Sequence, residues 1–240
     1  MKIALVGYGK MGQAIEKIAL ERGHEISCIV TSSNPIENVD FSSTDVAIEF
    51  TKPELAFKHI VHCFHSEVPI VVGTTAWHEE LETIKEICQD KNGSLLYASN
   101  FSLGVNIFFE INKRLAELLS DHPEYKAEVE EIHHLQKLDA PSGTAIEIAK
   151  GIVSYNQNYN DWKTGLNEKP DVSYDELPII AKREPDVPGT HTINYTSEID
   201  TISMTHQAHN RKGFALGAVI AAEWIVNKKG VFTMSNILNS

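Results

Sequence analysis

Lys2-Ile3-Ala4-Leu5-Val6-Gly7-Tyr8-Gly9-Lys10-Met11-Gly12-Gln13-Ala14-Ile15 opens the chain and carries the first decision about its fold. A short apolar run ends in glycine, and a helical stripe of Met11, Ile15, Ile18 and Ala19 follows it. Between them stands Gly-x-Gly-x-x-Gly. Glycines at this spacing permit a tight turn and close approach of the backbone to a pyrophosphate seated on the helix N-terminus. Gly7, Tyr8, Gly9, Lys10, Met11 and Gly12 are therefore candidate cofactor ligands. The pattern alone also fits a glycine-rich turn of any α/β protein. Its place between a strand and a helix favours the dinucleotide.

The usual second half of this fingerprint is missing. An acid about 20 residues on binds the ribose 2′-OH of NAD. Here the second strand ends Val30-Thr31-Ser32-Ser33-Asn34, with no carboxylate before Glu37. Thr31 and Ser32 leave room for a 2′-phosphate, and Lys10 supplies charge. NADPH is expected to bind at least as well as NADH.

Working outward, the first hundred residues alternate between two periodicities. Strands are expected at Lys2–Gly7, Glu25–Val30, Asp45–Phe50, Ile70–Gly73 and Ser94–Ala98, and helices at Pro53–His65 and Glu79–Gln89. This alternation predicts a parallel, doubly wound, Rossmann-type sheet. After Asn100 the pattern changes. A long helix lies within Phe101–Ser120, a strand at Tyr125–His133, and a helix at Ser142–Val153. Asn156–Pro178 reads as a polar loop. His191–Tyr195 and Ile199–Met204 suggest an antiparallel hairpin, and Gly213–Asn227 closes as an apolar helix. Strands followed by strands mark a second, α+β unit. There are no internal repeats.

Composition narrows the partners. The 240 residues carry 21 Lys+Arg against 33 Asp+Glu, a net charge of -12, which disfavours nucleic acid. No segment approaches the ~20 apolar residues of a membrane span, and the start lacks a signal-peptide pattern. Cys28, Cys63 and Cys88 follow no metal or redox spacing, as expected of reduced thiols in the cytoplasm. No metal site is expected.

The most informative stretch is Glu131-Ile132-His133-His134-Leu135-Gln136-Lys137-Leu138-Asp139-Ala140-Pro141-Ser142-Gly143-Thr144. Two histidines and a lysine precede a helix start, where unpaired N–H groups and the helix dipole suit a carboxylate. Histidine is the usual acid or base near neutral pH. Against this, Ser142 could be only an N-cap and Lys137 only a solvated charge. Adjacent strand residues also face opposite ways, so His133 and His134 share a ligand only where the strand ends.

The stretch resembles the signature of the dihydrodipicolinate reductase family, with Glu-x-His-His-x-x-Lys-x-Asp-x-Pro-Ser-Gly-Thr-Ala running from Glu131 to Ala145. Gly7–Gly12 is similar to that family's cofactor loop, and Gly73-Thr74-Thr75 to its turn beside the nicotinamide. Ala98-Ser99-Asn100-Phe101-Ser102 resembles the exit from the cofactor domain. Arg211 and Phe214, within Asn210–Gly217, resemble the return into it. One departure stands out. In place of the family's Arg-Gly-Gly element the chain reads Lys182-Arg183-Glu184-Pro185-Asp186-Val187-Pro188-Gly189-Thr190-His191. Loops around 31–45 are short.

The resemblance implies NAD(P)H-dependent reduction of 4-hydroxy-tetrahydrodipicolinate, a cyclic dicarboxylate, to tetrahydrodipicolinate in diaminopimelate and lysine biosynthesis. It implies His133 as general acid with Lys137 assisting, and a substrate held by His134, Ser142, Gly143 and Thr144. A cofactor domain of residues 1–102 and 213–240 would enclose a substrate domain, 103–212, that builds a homotetramer. Two alternatives remain, namely a related two-domain dehydrogenase with another substrate and a nucleotide-sensing regulator without catalysis.

His59, His62 and His65 are spaced for one side of a helix, and the wheel places them on the solvent face. His206 and His209 are candidates for a secondary role only. Trp77, Trp162 and Trp224 are read as packing or interface residues.

Overall fold

The computed structural model describes residues 1–210 and 212–240. Strand and helix alternate through the first part: β1 (Lys2–Val6), α1 (Lys10–Glu21), β2 (Glu25–Val30), β3 (Val46–Glu49), α2 (Pro53–His65), β4 (Ile70–Val72), α3 (Leu81–Asp90) and β5 (Ser94–Tyr97). Helix α4 (Leu103–Leu118) then leads to β6 (Lys126–His133), α5 (Gly143–Tyr155), β7 (Asp161–Leu166), β8 (Glu176–Arg183), β9 (Thr190–Thr196) and β10 (Thr201–Gln207). The chain ends with α6 (Lys212–Ile225), β11 (Gly230–Phe232) and α7 (Met234–Leu238). Two compact units result, Met1–Asn106 with Lys212–Ser240, and Ile107–Arg211.

The first unit holds a six-stranded sheet in the order β11-β5-β4-β3-β1-β2, parallel throughout. Successive side chains of a strand point to opposite faces, and here both faces are apolar. Ala4 and Val6 pack with α2 and α3, while Ile3 and Leu5 pack with α1 and α6. Covering both faces is what a parallel sheet requires. Because β2 and β3 flank β1 on opposite sides, the strand order reverses there, and a crevice opens at the carboxyl ends of the strands.

The second unit is a mixed five-stranded sheet, β10-β9-β6-β8-β7. Strands β7, β8 and β6 run parallel to one another, and β9 and β10 continue antiparallel. Ala127, Val129, Glu131 and His133 alternate onto the buried face of β6. Val129 stands between Ile179 and Ile193, in a core shared with Ile148, Ala149 and Ile152 of α5. Two steps further along the same face the core turns polar, and the candidate site begins there.

Three expectations change. The stretch 156–178 is not a plain loop, since it contains β7 and the start of β8. Strand β7, Asp161–Leu166, buries only Gly165 fully, so it lacks the alternation that marks a strand. Strand β8 carries Pro178 in its apolar run, a residue that normally argues against an interior strand. The hairpin's second strand starts at Thr201, and Ile199, 88% exposed, sits in the turn.

His59 is the third correction. It is 5% exposed, not solvent-facing. Buried Glu49, at the end of β3, faces α2 and holds His59 Nδ1 3.3 Å from Oε1. An acid inside the unit thus draws a histidine inward that the helical wheel assigns to water. His62 is half-buried and His65 exposed.

Candidate active site

The cofactor side follows from the parallel sheet. Four predicted segments leave the carboxyl ends of their strands: Gly7–Gly12 after β1, Thr31 and Ser32 after β2, Gly73–Thr75 after β4, and Ala98–Phe101 after β5. A cavity of about 650 Å³ is lined by Gly7, Tyr8, Gly9, Thr31, Ser32 and Thr51, with apolar walls from Pro35, Ile36 and Leu55. The glycines fit a dinucleotide. Gly7 has φ +99°, and a Cβ there would fall 2.2 Å from the Phe50 carbonyl oxygen. A Cβ at Gly12 would fall 2.3 Å from the Gly7 oxygen, whereas one at Gly9 would meet nothing within 4 Å. The turn is tight behind and open in front, as a pyrophosphate cradle must be.

Other predicted cofactor residues have internal work. Lys10 and Met11 begin α1. Tyr8 donates its hydroxyl proton to Glu16. Thr74 Oγ1 accepts from the Thr51 amide at 2.8 Å, and Trp77 Nε1 donates to the Thr74 carbonyl at 2.7 Å. Asn100 Oδ1 accepts from the Ser102 amide at 2.9 Å. Phe101 is 2% exposed, its ring 5.8 Å from that of Phe50. Thr75 is exposed, and Ala98 and Phe214 are half-buried. Arg211 lies outside the described residues.

The second cluster grows from strand register. His133, the last residue of β6, is 8% exposed, and Glu131, two residues earlier on the same face, is fully buried. Glu131 pairs across the sheet with His191 of β9 and Ala181 of β8, and His133 pairs with Arg183. His133 Nδ1 stands 3.3 Å from Glu131 Oε2, and His191 Nε2 stands 3.8 Å from the same oxygen. Both Glu131 oxygens accept from the Ser142 amide at 3.1 Å. Ser142 Oγ caps α5 by accepting from the Ala145 amide, and also meets His191 Nε2 at 3.1 Å.

Arg183 closes this cluster. Its guanidinium donates to the backbone carbonyls of Lys137 (3.2 Å), Asp139 (2.6 Å) and Lys182 (2.7 Å), and reaches Glu131 Oε1 at 3.5 Å. After β6 the chain turns, with the Lys137 amide donating to the His134 carbonyl at 3.0 Å. Lys137 Nζ is held by both Asp139 carboxylate oxygens, at 2.7 and 2.9 Å. Gly143 and Thr144 open α5, and a Cβ at Gly143 would meet nothing within 4 Å. The side-chain direction of Gly143 is therefore open.

Electrostatics separates the partners. Burial opposes the charge of Glu131, but His133 and Ser142 outweigh it and hold the carboxyl down at about 2. Burial, aided by neighbouring His133, pushes His191 down to about 3. A carboxylate and a neutral imidazole thus surround His133. Glu131, His133 and His191 bring their ligating atoms within 4.8 Å of one another, donor types that can hold zinc. The Glu131 oxygens and His191 Nε2 are already engaged with Ser142.

Comparison with known proteins settles the family. Residues 1–101 match the model "Dihydrodipicolinate reductase, N-terminus", and residues 104–238 match "Dihydrodipicolinate reductase, C-terminus". The chain belongs to the dihydrodipicolinate reductase family. It is thus an NAD(P)H-dependent oxidoreductase, and its cofactor is a nicotinamide dinucleotide. Among relatives of this reductase, a protein of Christiangramia forsetii named 4-hydroxy-tetrahydrodipicolinate reductase is 49% identical, over 100% of this chain and 98% of its own. One of the same name from Staphylococcus aureus is 34% identical, over 99% and 100%. The reductase fold also matches the dipicolinate-bound dihydrodipicolinate reductase of Paenisporosarcina sp. TG-14, with a TM-score of 0.78 and 24% identity over 99% of both chains.

Glu131, Arg183 and His191 received no role from sequence reasoning. The signal for Glu131 and His191 was present: period-2 alternation puts Glu131 with His133, and His191 with Ile193 and Tyr195, on the core face.

Proposed function

We propose that the protein reduces 4-hydroxy-tetrahydrodipicolinate to tetrahydrodipicolinate, with loss of water, and that His133 donates the proton. The observation that carries this is His133 at the end of β6, beside buried Glu131, whose carboxylate also holds the Ser142 amide at the start of α5. When bound, the nicotinamide supplies a hydride. The ring it reduces is left electron-rich, and the His133 imidazolium delivers a proton to it. Lys137, released from Asp139 by a competing substrate carboxylate, stabilises the developing negative charge. The amides of Gly143 and Thr144, with the Ser142 turn behind them, bind a carboxylate at the helix N-terminus. His134, half-buried one residue past the strand, completes the substrate contacts. The dipicolinate named with the Paenisporosarcina structure is a ligand of this cyclic dicarboxylate type.

Thr31 and Ser32 on the cavity wall support NADPH binding at least as tight as that of NADH. Arg211 and Phe214 belong to the same cofactor reading. The assembly we propose is a homotetramer built through the five-stranded sheet, whose edge strand β10 is exposed along much of its length. The setting is the cytoplasm; no helix among the described residues is long and apolar enough to cross a membrane.

Following NADPH absorbance while supplying substrate freshly made by the preceding synthase tests the activity. Substrate-dependent oxidation is expected, and its absence would remove the reading. Competitive titration at low salt tests the cofactor, a clear preference for NADH being the adverse result. Light scattering reads the assembly.

A further inference from the structure

Glu131 is a fully buried carboxylate beneath the residue read as the acid, and that reading assigns it no role. It touches three parts of the site at once: the His133 ring at 3.3 Å, the first amide of the α5 turn at 3.1 Å, and Arg183 at 3.5 Å. Arg183 in turn holds the carbonyls of Lys137 and Asp139. Strand register brings His133, Arg183 and His191 to Glu131, and the turn that opens α5 brings the Ser142 amide. The two nitrogens of His133 meet different surroundings. Nδ1 is buried, lies beside the Glu131 carboxylate and has no aligned hydrogen bond. Nε2 looks towards Gly189, where a Cβ would stand only 3.0 Å away, so the glycine leaves that nitrogen uncrowded.

We propose that Glu131 is the positioning residue of the reaction, fixing His133 so that Nδ1 keeps a proton facing the carboxylate while Nε2 gives its proton to the substrate. The proposal rests on the reading of His133 as acid. In the step, the Nε2–H bond breaks, its electron pair stays on nitrogen, and the proton joins the electron-rich ring carbon. Neutral His133 is left as the Nδ1–H tautomer, the form an adjacent acceptor stabilises. The loose Nδ1 geometry is compatible with this, because catalytic hydrogen bonds are often poorly aligned before ligands bind. His191 sits beside the pair with its ring 5.1 Å from that of His133. It is kept neutral by burial and tied to Ser142, and it does not compete for Oε2 as a cation.

Nitrogen-15 NMR of the full-length protein without substrate reads the His133 tautomer directly, and wild type is expected to show Nδ1–H. Observation of Nε2–H as the main neutral form in wild type would overturn the proposal, with no variant needed. Glu131→Gln keeps the shape and an oxygen for the Ser142 amide but offers an N–H to Nδ1. It should shift the ring towards Nε2–H and lower kcat about 10–100-fold, the scale on which partners that orient functional histidines act, with KM within about twofold. A loss of kcat with the tautomer unchanged would make Glu131 merely structural and overturn the proposal. A tautomer shift with kcat unchanged would instead refute His133 as the acid.

Discussion

At the scale of single residues, the roles we propose for His133 and Lys137 divide the reaction between proton transfer and charge stabilisation. If His133 is the acid, removing it takes away an interaction made chiefly in the transition state. His133→Ala should lower kcat about 10²–10⁴-fold with little change in KM, and steady-state rates near wild type would exclude His133 as the acid. In the same proposal Lys137 also meets the ground-state charge of the substrate, so Lys137→Ala should damage kcat and KM together. The rival carboxylate of Asp139, 62% exposed in its side chain, is left behind in that variant. The residue types and spacing from Glu131 to Thr144 made the two histidines and the lysine legible. They did not show that the Lys137 ammonium is clasped by Asp139, because that depends on the turn after β6. Nor did they show Arg183 gathering three carbonyls, a function of a β8 strand that Pro178 disguised.

Whole elements were read well where periodicity was strong. Helix α2 and strand β2 fall where the apolar pattern placed them, whereas β7, β8 and β11 bury too little or too irregular a face to announce themselves. Helix α6 illustrates an element fixed by one contact. A Cβ at Gly217 would come 1.6 Å from the Phe101 carbonyl oxygen, so α6 lies directly on the segment leaving β5. Gly217→Ala must shift the helix and should cost about 1–3 kcal/mol, measurable by urea denaturation. Unchanged stability would contradict the packing. At α5, Ser142→Ala removes the cap and the partner of His191, with an expected loss of about 1 kcal/mol. Gly143→Ala, with no neighbour within 4 Å of the new methyl, should leave the same transition in place and raise substrate KM instead.

For the whole molecule, the net charge of -12 opposes two anionic ligands, so cationic groups and helix ends must act locally. Stability is also tied to pH through the buried site. His191 titrates at about 3 when folded, against about 6.5 unfolded. Below pH 6.5 the unfolded chain takes up a proton that folded His191 refuses, so stability falls as pH drops towards 3. Glu131 acts in the same direction lower down. Its contribution is complete above the unfolded value of about 4.3 and is lost as pH falls towards 2. Urea titrations at pH 7 and pH 5 should therefore show declining stability, and His191→Asn should flatten that slope. Equal slopes in the two proteins would place the loss elsewhere.

Glu131, His133, Arg183 and His191 all stand on three neighbouring strands in one register. For descendants of this sequence, insertions and deletions therefore carry unequal risk. The Glu184–Pro188 segment, which connects β8 to β9, can change length between two anchored strands. A single residue gained or lost within β6 would turn Glu131 or His133 out to the opposite face. Drift in this protein is thus channelled into the connections, while the strands beneath them are effectively frozen in length.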